Sequence, residues 1–400
     1  MCAPEWHVQL SMTSILFLLL AFSAGLCAGE HVEVTSDGTA TFHDEDPPDA
    51  PAILGMDGAT LAVAMAKWAG ADDYDDKALL FMRVSMLGNS DQGPAQLEHF
   101  VTAKDGQGLT ALISAASSHT CGRIQGDQER VPSGMLVQAA VTALGTLATG
   151  GTKGMEWKES SAGLTRCTKL ATLGAINATV SAMNAAGFDV TTCEQAWEIH
   201  QAGLHTIASI CLGHDGKDGL GLPSMATKAE AEAGLPSQAN FRREAAADAG
   251  AIEAIINVLG ALRDCVKCGL NKNKARQLLK FAHHAFQRVL LGHDPAGARR
   301  RARAAAAEAI PAMVGSLDKA FSKEVLQKTI ETNSILMGQD DPDGDGRADP
   351  ALDREWQDEI SKRPSLGAKM QEVMMQMYQE DPRRVRNAHQ QAGMEMPEGI

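Results

Sequence analysis

The sequence predicts an all-α fold, an α-solenoid of about five two-helix units separated by insertions of variable length. Three observations carry the prediction. Two short phrases return in alternation along the chain, one opening a helix and the other closing one. Apolar residues between them recur at helical spacing. Hydrophobic residues make up 44% of the chain but aromatic residues only 4%, which favours closely packed helices over a β-sandwich. The length of 400 residues sets no domain count, because stacked units escape the size limit of a single core.

Taken in chain order, the first element is a targeting signal at residues 1–28. Ile15 to Phe22 is an unbroken apolar run followed by the small residues Gly25, Cys27, Ala28 and Gly29, the layout of a secretory h-region and cleavage site. The run is too short for a bilayer core of roughly 30 Å, so no membrane span is expected in the mature chain. The n-region holds Glu5 and His7 and no Lys or Arg. The apolar run and its small-residue site, though without a basic n-region, lead to the expectation of a secretory-pathway or extracellular protein. Residues 29–55 are acidic and contain Pro, with few large apolar side chains, and read as a solvated linker.

Residues 56–340 hold the units. The opener stands at Gly58, Gly108, Gly174 and Gly250, and in decayed form at Glu308; the closer ends at Gly88, Gly150, Asp215, Asp294 and Asp340. After Gly250, Ile252, Ile255, Ile256, Leu259 and Leu262 form a stripe that only a helix gathers on one face. Ile310, Met313, Val314 and Leu317 repeat it, as do Leu109, Leu112, Ile113 and Ala116. Leu278, Ala282, Phe286, Val289 and Leu290 line a second helix that ends before Gly292, where a positive φ favours glycine. A helix pair cannot bury its stripe alone, so each unit must stack on the next. The stretches Gly151 to Thr172 and Gly216 to Asn240 fall between pairs and read as surface insertions.

Residues 341–353 form an acidic loop. Asp341, Asp343, Asp345 and Asp349 occupy positions 1, 3, 5 and 9 of an EF-hand-like pattern, with Gly346 at position 6. Carboxylate oxygens and a sharp glycine turn suit Ca²⁺. Position 12 is Leu352 instead of the bidentate Glu, so the loop reads as an elaborated inter-helix turn with no cofactor, and weak calcium binding is the alternative. No other cofactor is indicated. Residues 354–400 read as a helical and flexible tail, in which Met370, Met374, Met375 and Met377 form an apolar patch for packing or for a partner.

The phrases Ala143-Leu144-Gly145-Thr146-Leu147-Ala148 and Gly203-Leu204-His205-Thr206-Ile207-Ala208, together with the Gly-Ala-Ile openers, resemble armadillo-type helical repeats. The resemblance covers roughly Gly58 to Asp340. It implies a right-handed α-solenoid with a concave protein-binding surface. Where that family places a groove Asn, this chain has Thr146, Thr206, Arg288 and Ser334. These four are the expected contacts for a protein or peptide partner.

Other residues invite chemistry but lack a constellation. Cys265 and Cys268 form a CxxC without a second pair or a βαβ context. His283, His284 and His293, or His214 beside Asp215, match no metal or acid/base spacing. No HExxH, nucleophile elbow, phosphate loop or dinucleotide fingerprint is present, so the expectation is a non-catalytic scaffold. A formal charge of −14 argues against nucleic acid as the principal partner. Arg299, Arg300, Arg301 and Arg303, and later Arg383, Arg384 and Arg386, form basic runs suited to a solvated face. Asn177-Ala178-Thr179 is a glycosylation sequon inside a predicted helix.

Overall fold

The computed structural model describes residues 32–34, 40–42, 47–70, 76–90, 92–118, 133–150, 161–190, 193–211, 238–263, 270–292, 295–320, 322–338 and 349–380. The fold is all-α, preceded by a three-residue antiparallel hairpin in which Val32 pairs with Phe42 and Val34 with Ala40. The helices are α1 Ala50–Gly55, α2 Gly58–Trp68, α3 Lys77–Gly88, α4 Gly93–Thr102, α5 Gln107–Ser118 and α6 Ser133–Thr149. They continue with α7 Ser161–Thr172, α8 Ala175–Ala186, α9 Ala196–Ile210, α10 Gln238–Asp248, α11 Ala251–Arg263 and α12 Lys272–Leu290. The last are α13 Pro295–Ala306, α14 Ala309–Ala320, α15 Lys323–Leu336, α16 Pro350–Ser361 and α17 Pro364–Glu380.

Local chemistry fixes several starts. Asp57 accepts from the Thr60 amide at 2.8 Å at the head of α2. Asn271 does the same for α12, taking the Asn273 and Lys274 amides at 3.1 and 2.9 Å. Asp49, Ser322 and Asp349 cap α1, α15 and α16. Each supplies an acceptor to amides that have no partner inside the helix.

Helices of like position touch in chain order. α2, α5, α8, α11, α14 and α16 form one row, and α3, α6, α9, α12, α15 and α17 form another. A third row runs through α7, α10 and α13, and Lys169 of α7 extends it back to α4 by donating to the Val101 carbonyl at 3.0 Å. A single hydrophobic cluster runs from Ile53 to Val373 through all of these units. The apolar stripes read after Gly108, Gly250 and Glu308 all lie in it.

The units differ from the expected helix pairs in one respect: a helix precedes the opener in each of the second to fifth units, at α4, α7, α10 and α13, so these are the first helices, α2, α5, α8, α11 and α14 the second, and α3, α6, α9, α12 and α15 the third. α7 fills the end of the stretch expected as an insertion at 151–172, and α10 begins at Gln238 inside the other. The Leu/Ile stripe that marks the other helices is missing because α10 (QANFRREAAAD) and α13 (PAGARRRARAAA) bury alanine and arginine instead. The stack also runs past 340, since α16 and α17 pack on α14 and α15, so residues 350–353 belong to a helix. Within 29–55, the hairpin and α1 are regular elements, and Ile53 is fully buried.

The turn from first to second helix needs a left-handed residue. Gly174 and Gly250 supply it at φ 86° and 83°, and Glu308 adopts it at φ 60°. In the second unit three successive residues are left-handed, Lys104, Asp105 and Gly106 at φ 45°, 55° and 79°, and the last stands two positions ahead of the Gly108 read as the opener. Gly108 serves packing instead. A Cβ there would lie 2.7 Å from Ala62 Cα, so the missing side chain lets α5 close on α2. Among the described residues no single helix is long and apolar enough to cross a membrane.

Candidate binding surface on the third helices

The four residues expected to contact a partner occupy two different environments. Thr146 is half-buried on α6 and donates to the Thr142 carbonyl at 3.1 Å, with Ser85 Oγ of α3 at 3.3 Å. Arg288 and Ser334 are half-buried on α12 and α15. Thr206, by contrast, is fully buried and donates to the Val141 carbonyl at 3.0 Å. It belongs to the seam between α6 and α9, where a Cβ on Gly145 would stand 2.8 Å from its hydroxyl. Thr332 lies in the seam between α12 and α15, donating to the Lys328 carbonyl at 2.7 Å and accepting from Gln287 Nε2 at 3.0 Å. The helical phase of Thr206 therefore removes it from the surface, while Thr142 of α6 is exposed.

Asp341, Asp343 and Asp345 lie outside the described residues. Asp349 is exposed, and its carboxylate accepts from the Ala351 amide at 2.8 Å as the cap of α16. Among the described residues no group of three His, Cys, Asp or Glu is placed to hold a metal ion.

Polar contacts tie neighbouring third helices at their solvent side. Glu198 of α9 accepts from Lys274 of α12 at 2.8 Å. Lys280 of α12 pairs with Glu324 of α15. The His205 ring meets Phe281 edge-on at 5.9 Å between α9 and α12. Such exposed pairs each contribute well under about 1 kcal/mol, so they fix side-chain positions more than they stabilise.

His200, His283 and three thiols are buried inside the fold. His283 is fully buried between Thr329 and Thr332, 3.0 Å from one hydroxyl and 3.1 Å from the other. Both hydroxyls also reach a carbonyl of their own helix, Thr329 that of Val325 at 2.9 Å and Thr332 that of Lys328 at 2.7 Å, and the neutral ring donates from one nitrogen and accepts at the other. Burial, aided by Lys328, pushes the His283 pKa down to about 3. His200 stacks on Phe188 at 4.6 Å and reaches the Gly187 carbonyl at 2.7 Å; burial lowers its pKa to about 4. Cys167, Cys193 and Cys211 are buried free thiols, and burial pushes Cys211 up to about 11, away from thiolate chemistry. Cys121, His214, Cys265, Cys268, His293 and the Arg383–Arg386 run lie outside the described residues. In the sequon, Asn177 is exposed but Thr179 is fully buried, with its hydroxyl on the Ala175 carbonyl at 2.7 Å. Met370 packs inside and Met375 is 53% exposed.

The arginines of the first helices hold the units together. Arg166 donates to the Leu147 carbonyl at the end of α6 and pairs with Glu98 of α4 at 3.3 Å. Arg242 donates to Thr168 Oγ1 of α7 at 2.8 Å. Arg300 pairs with Glu244 of α10 and donates to the Leu291 carbonyl after α12 at 2.6 Å. All three are buried, and each stands eight residues ahead of its opener, at Gly174, Gly250 and Glu308. That interval is the sequence signal for the row. Desolvation lowers the Arg166 pKa to about 10, opposed by the neighbouring Cys167 and Glu98. Arg300 is thus an interior residue of the Arg299–Arg303 run, while Arg299 and Arg303 face Glu244 and Glu253 near the surface. Neither a family model nor a curated protein matches this chain.

Proposed function

We propose that this chain is a non-catalytic, armadillo-like scaffold that binds a protein or peptide segment across its third helices. One observation supports the reading above others: α3, α6, α9, α12 and α15 touch in unbroken order, so their outward sides make one continuous strip. A strip of that kind offers many shallow contacts to an extended segment and suits recognition better than the enclosed, convergent site that catalysis requires. A removable signal at residues 1–28 would send the scaffold into the secretory route, which sequencing of the mature N-terminus tests.

The binding reading is tested with the tagged chain as bait. Thr142→Arg on α6 and Ser334→Arg on α15 alter the strip, and Asn177→Arg on the exposed side of α8 is the control. Captured partners should be lost with the first two and kept with the third, while helical content stays constant. Unchanged capture with both strip variants would remove the third helices as the binding face.

A further inference from the structure

Charge is unevenly spread over this chain. Charged residues make up 22% of the sequence, yet α5 (QGLTALISAASS) and α8 (AINATVSAMNAA) carry none. The two helices pack against one another in the row of second helices, so their outward sides adjoin. Thr110, Ser114 and Ser117 are exposed on α5, and Asn177, Ser181 and Asn184 on α8. Residues spaced by four and three share one face of a helix, so Asn177 heads a stripe of short, neutral, polar side chains. Leu173, 41% exposed, stands in the turn just ahead of it. The chain as a whole relies on a formal charge of −14 for solubility, and this face has no charge to hydrate it.

Resting on the reading of residues 1–28 as a secretory signal, we infer that Asn177 carries an N-linked glycan. Asn177-Ala178-Thr179 is the one Asn-X-Ser/Thr in the sequence, and its middle residue is not proline. In the transfer, Asn177 Nδ2 displaces pyrophosphate from the anomeric carbon of a lipid-linked oligosaccharide. An N–C bond forms, the C–O bond to pyrophosphate breaks, one amide proton passes to a base of the transferase and the lipid pyrophosphate leaves. The fold sets the order of events. Thr179 is fully buried and its hydroxyl donates to the Ala175 carbonyl at 2.7 Å, so the transferase reaches that hydroxyl only before α8 closes. Asn177 stands two residues earlier, about 200° around the helix at 3.6 residues per turn, and ends exposed. The folded chain therefore holds the sugar without displacing a buried residue. There the hydrated glycan covers the neutral sides of α5 and α8 and the exposed Leu173, and it leaves the third helices, a separate row, open to a partner.

The test translates the full chain in a cell-free system with rough microsomes, isolates the product protected from added protease, and treats part of it with peptide-N-glycosidase. The protected chain should run as one heavier band, which the glycosidase returns to the mobility of the Asn177→Gln variant. Asn177→Gln and Thr179→Val should abolish the heavier band, while Thr179→Ser and Asn184→Gln keep it. Transfer precedes folding, so the bands report on the sequon even for a variant that fails to fold. Protected chain without the heavier band, or a heavier band that persists in Asn177→Gln, would overturn the inference and leave the secretory reading standing. Failure of residues 1–28 to bring the chain inside the microsome would remove both.

Discussion

Arg300 donates its Nη2 to the Leu291 carbonyl at 2.6 Å, so the first helix of the fifth unit closes the end of the third helix of the fourth. Arg166 does the same for Leu147 two units earlier. A terminal carbonyl of a helix has no partner inside it, and leaving such an acceptor buried and unpaired costs about 1–3 kcal/mol. The buried arginine satisfies that acceptor.

Arg300→Ala should therefore lower stability by about 1–3 kcal/mol, since Glu244 loses a partner and a cavity opens while the Leu291 carbonyl keeps only the longer bond from Arg243 Nη1 at 3.4 Å. Arg300→Lys should recover only part, because one ammonium cannot span Glu244 and Leu291 as a guanidinium fork does. Urea denaturation of the two variants beside the parent chain checks this ordering. Equal stability of Arg300→Ala and parent would show that the unit junction does not depend on the arginine.

Glu308 sits at φ 60°, where Gly174 and Gly250 occupy the same turn. A side chain in the left-handed region costs about 1 kcal/mol or more. Glu308→Gly should raise stability by up to about 1 kcal/mol, and Gly250→Ala should lower it by a similar amount. Glu308 also lies near Glu355 of α16 and, after burial and Glu359, raises the Glu355 pKa; removing it should relieve that repulsion. Thermal melts of both variants, read as shifts of opposite sign, are the measurement.

His283 makes stability depend on pH in a defined direction. Its folded pKa is depressed to about 3 from an ordinary 6.5, so the unfolded chain takes up a proton at a pH where the folded chain refuses it. The stabilising contribution is present in full above pH 6.5 and is lost progressively as pH falls towards 3. His200 acts in the same sense down to about 4. The urea midpoint should fall between about pH 7.5 and about pH 5. His283→Gln should flatten that dependence while lowering the midpoint at the higher pH, since Thr329 and Thr332 lose a partner. A midpoint that rises on acidification would refute the assignment.

Much of the fold was legible because the second and third helices bury Leu, Ile, Val and Met. Ile252 to Leu262 and Leu278 to Leu290 announce their inner faces by spacing alone. The first helices were not, because Arg166, Arg242, Arg243 and Arg300 hold interior positions that charge assigns to a surface. The proposed binding face was half legible. Thr146 and Arg288 are half-buried, but Thr206 turns fully into the α6–α9 seam, since aligning a short phrase fixes position along a helix more firmly than it fixes rotation about the helix axis. Gly108 misled for a related reason: it looks like a turn glycine, and its role is to let Ala62 approach.

The amino-acid order was enough to establish that the chain is helical, where its apolar stripes run, and that each stripe must find a neighbour. Periodicity and glycine punctuation are local properties, and they persist whatever the rest of the chain does. The interior places of Arg166 and Arg300 and the seam position of Thr206 came from the packing of whole units. Those outcomes depend on carbonyls, carboxylates and small side chains presented by another unit, and a buried guanidinium is stable only once that other unit has brought its acceptors into place.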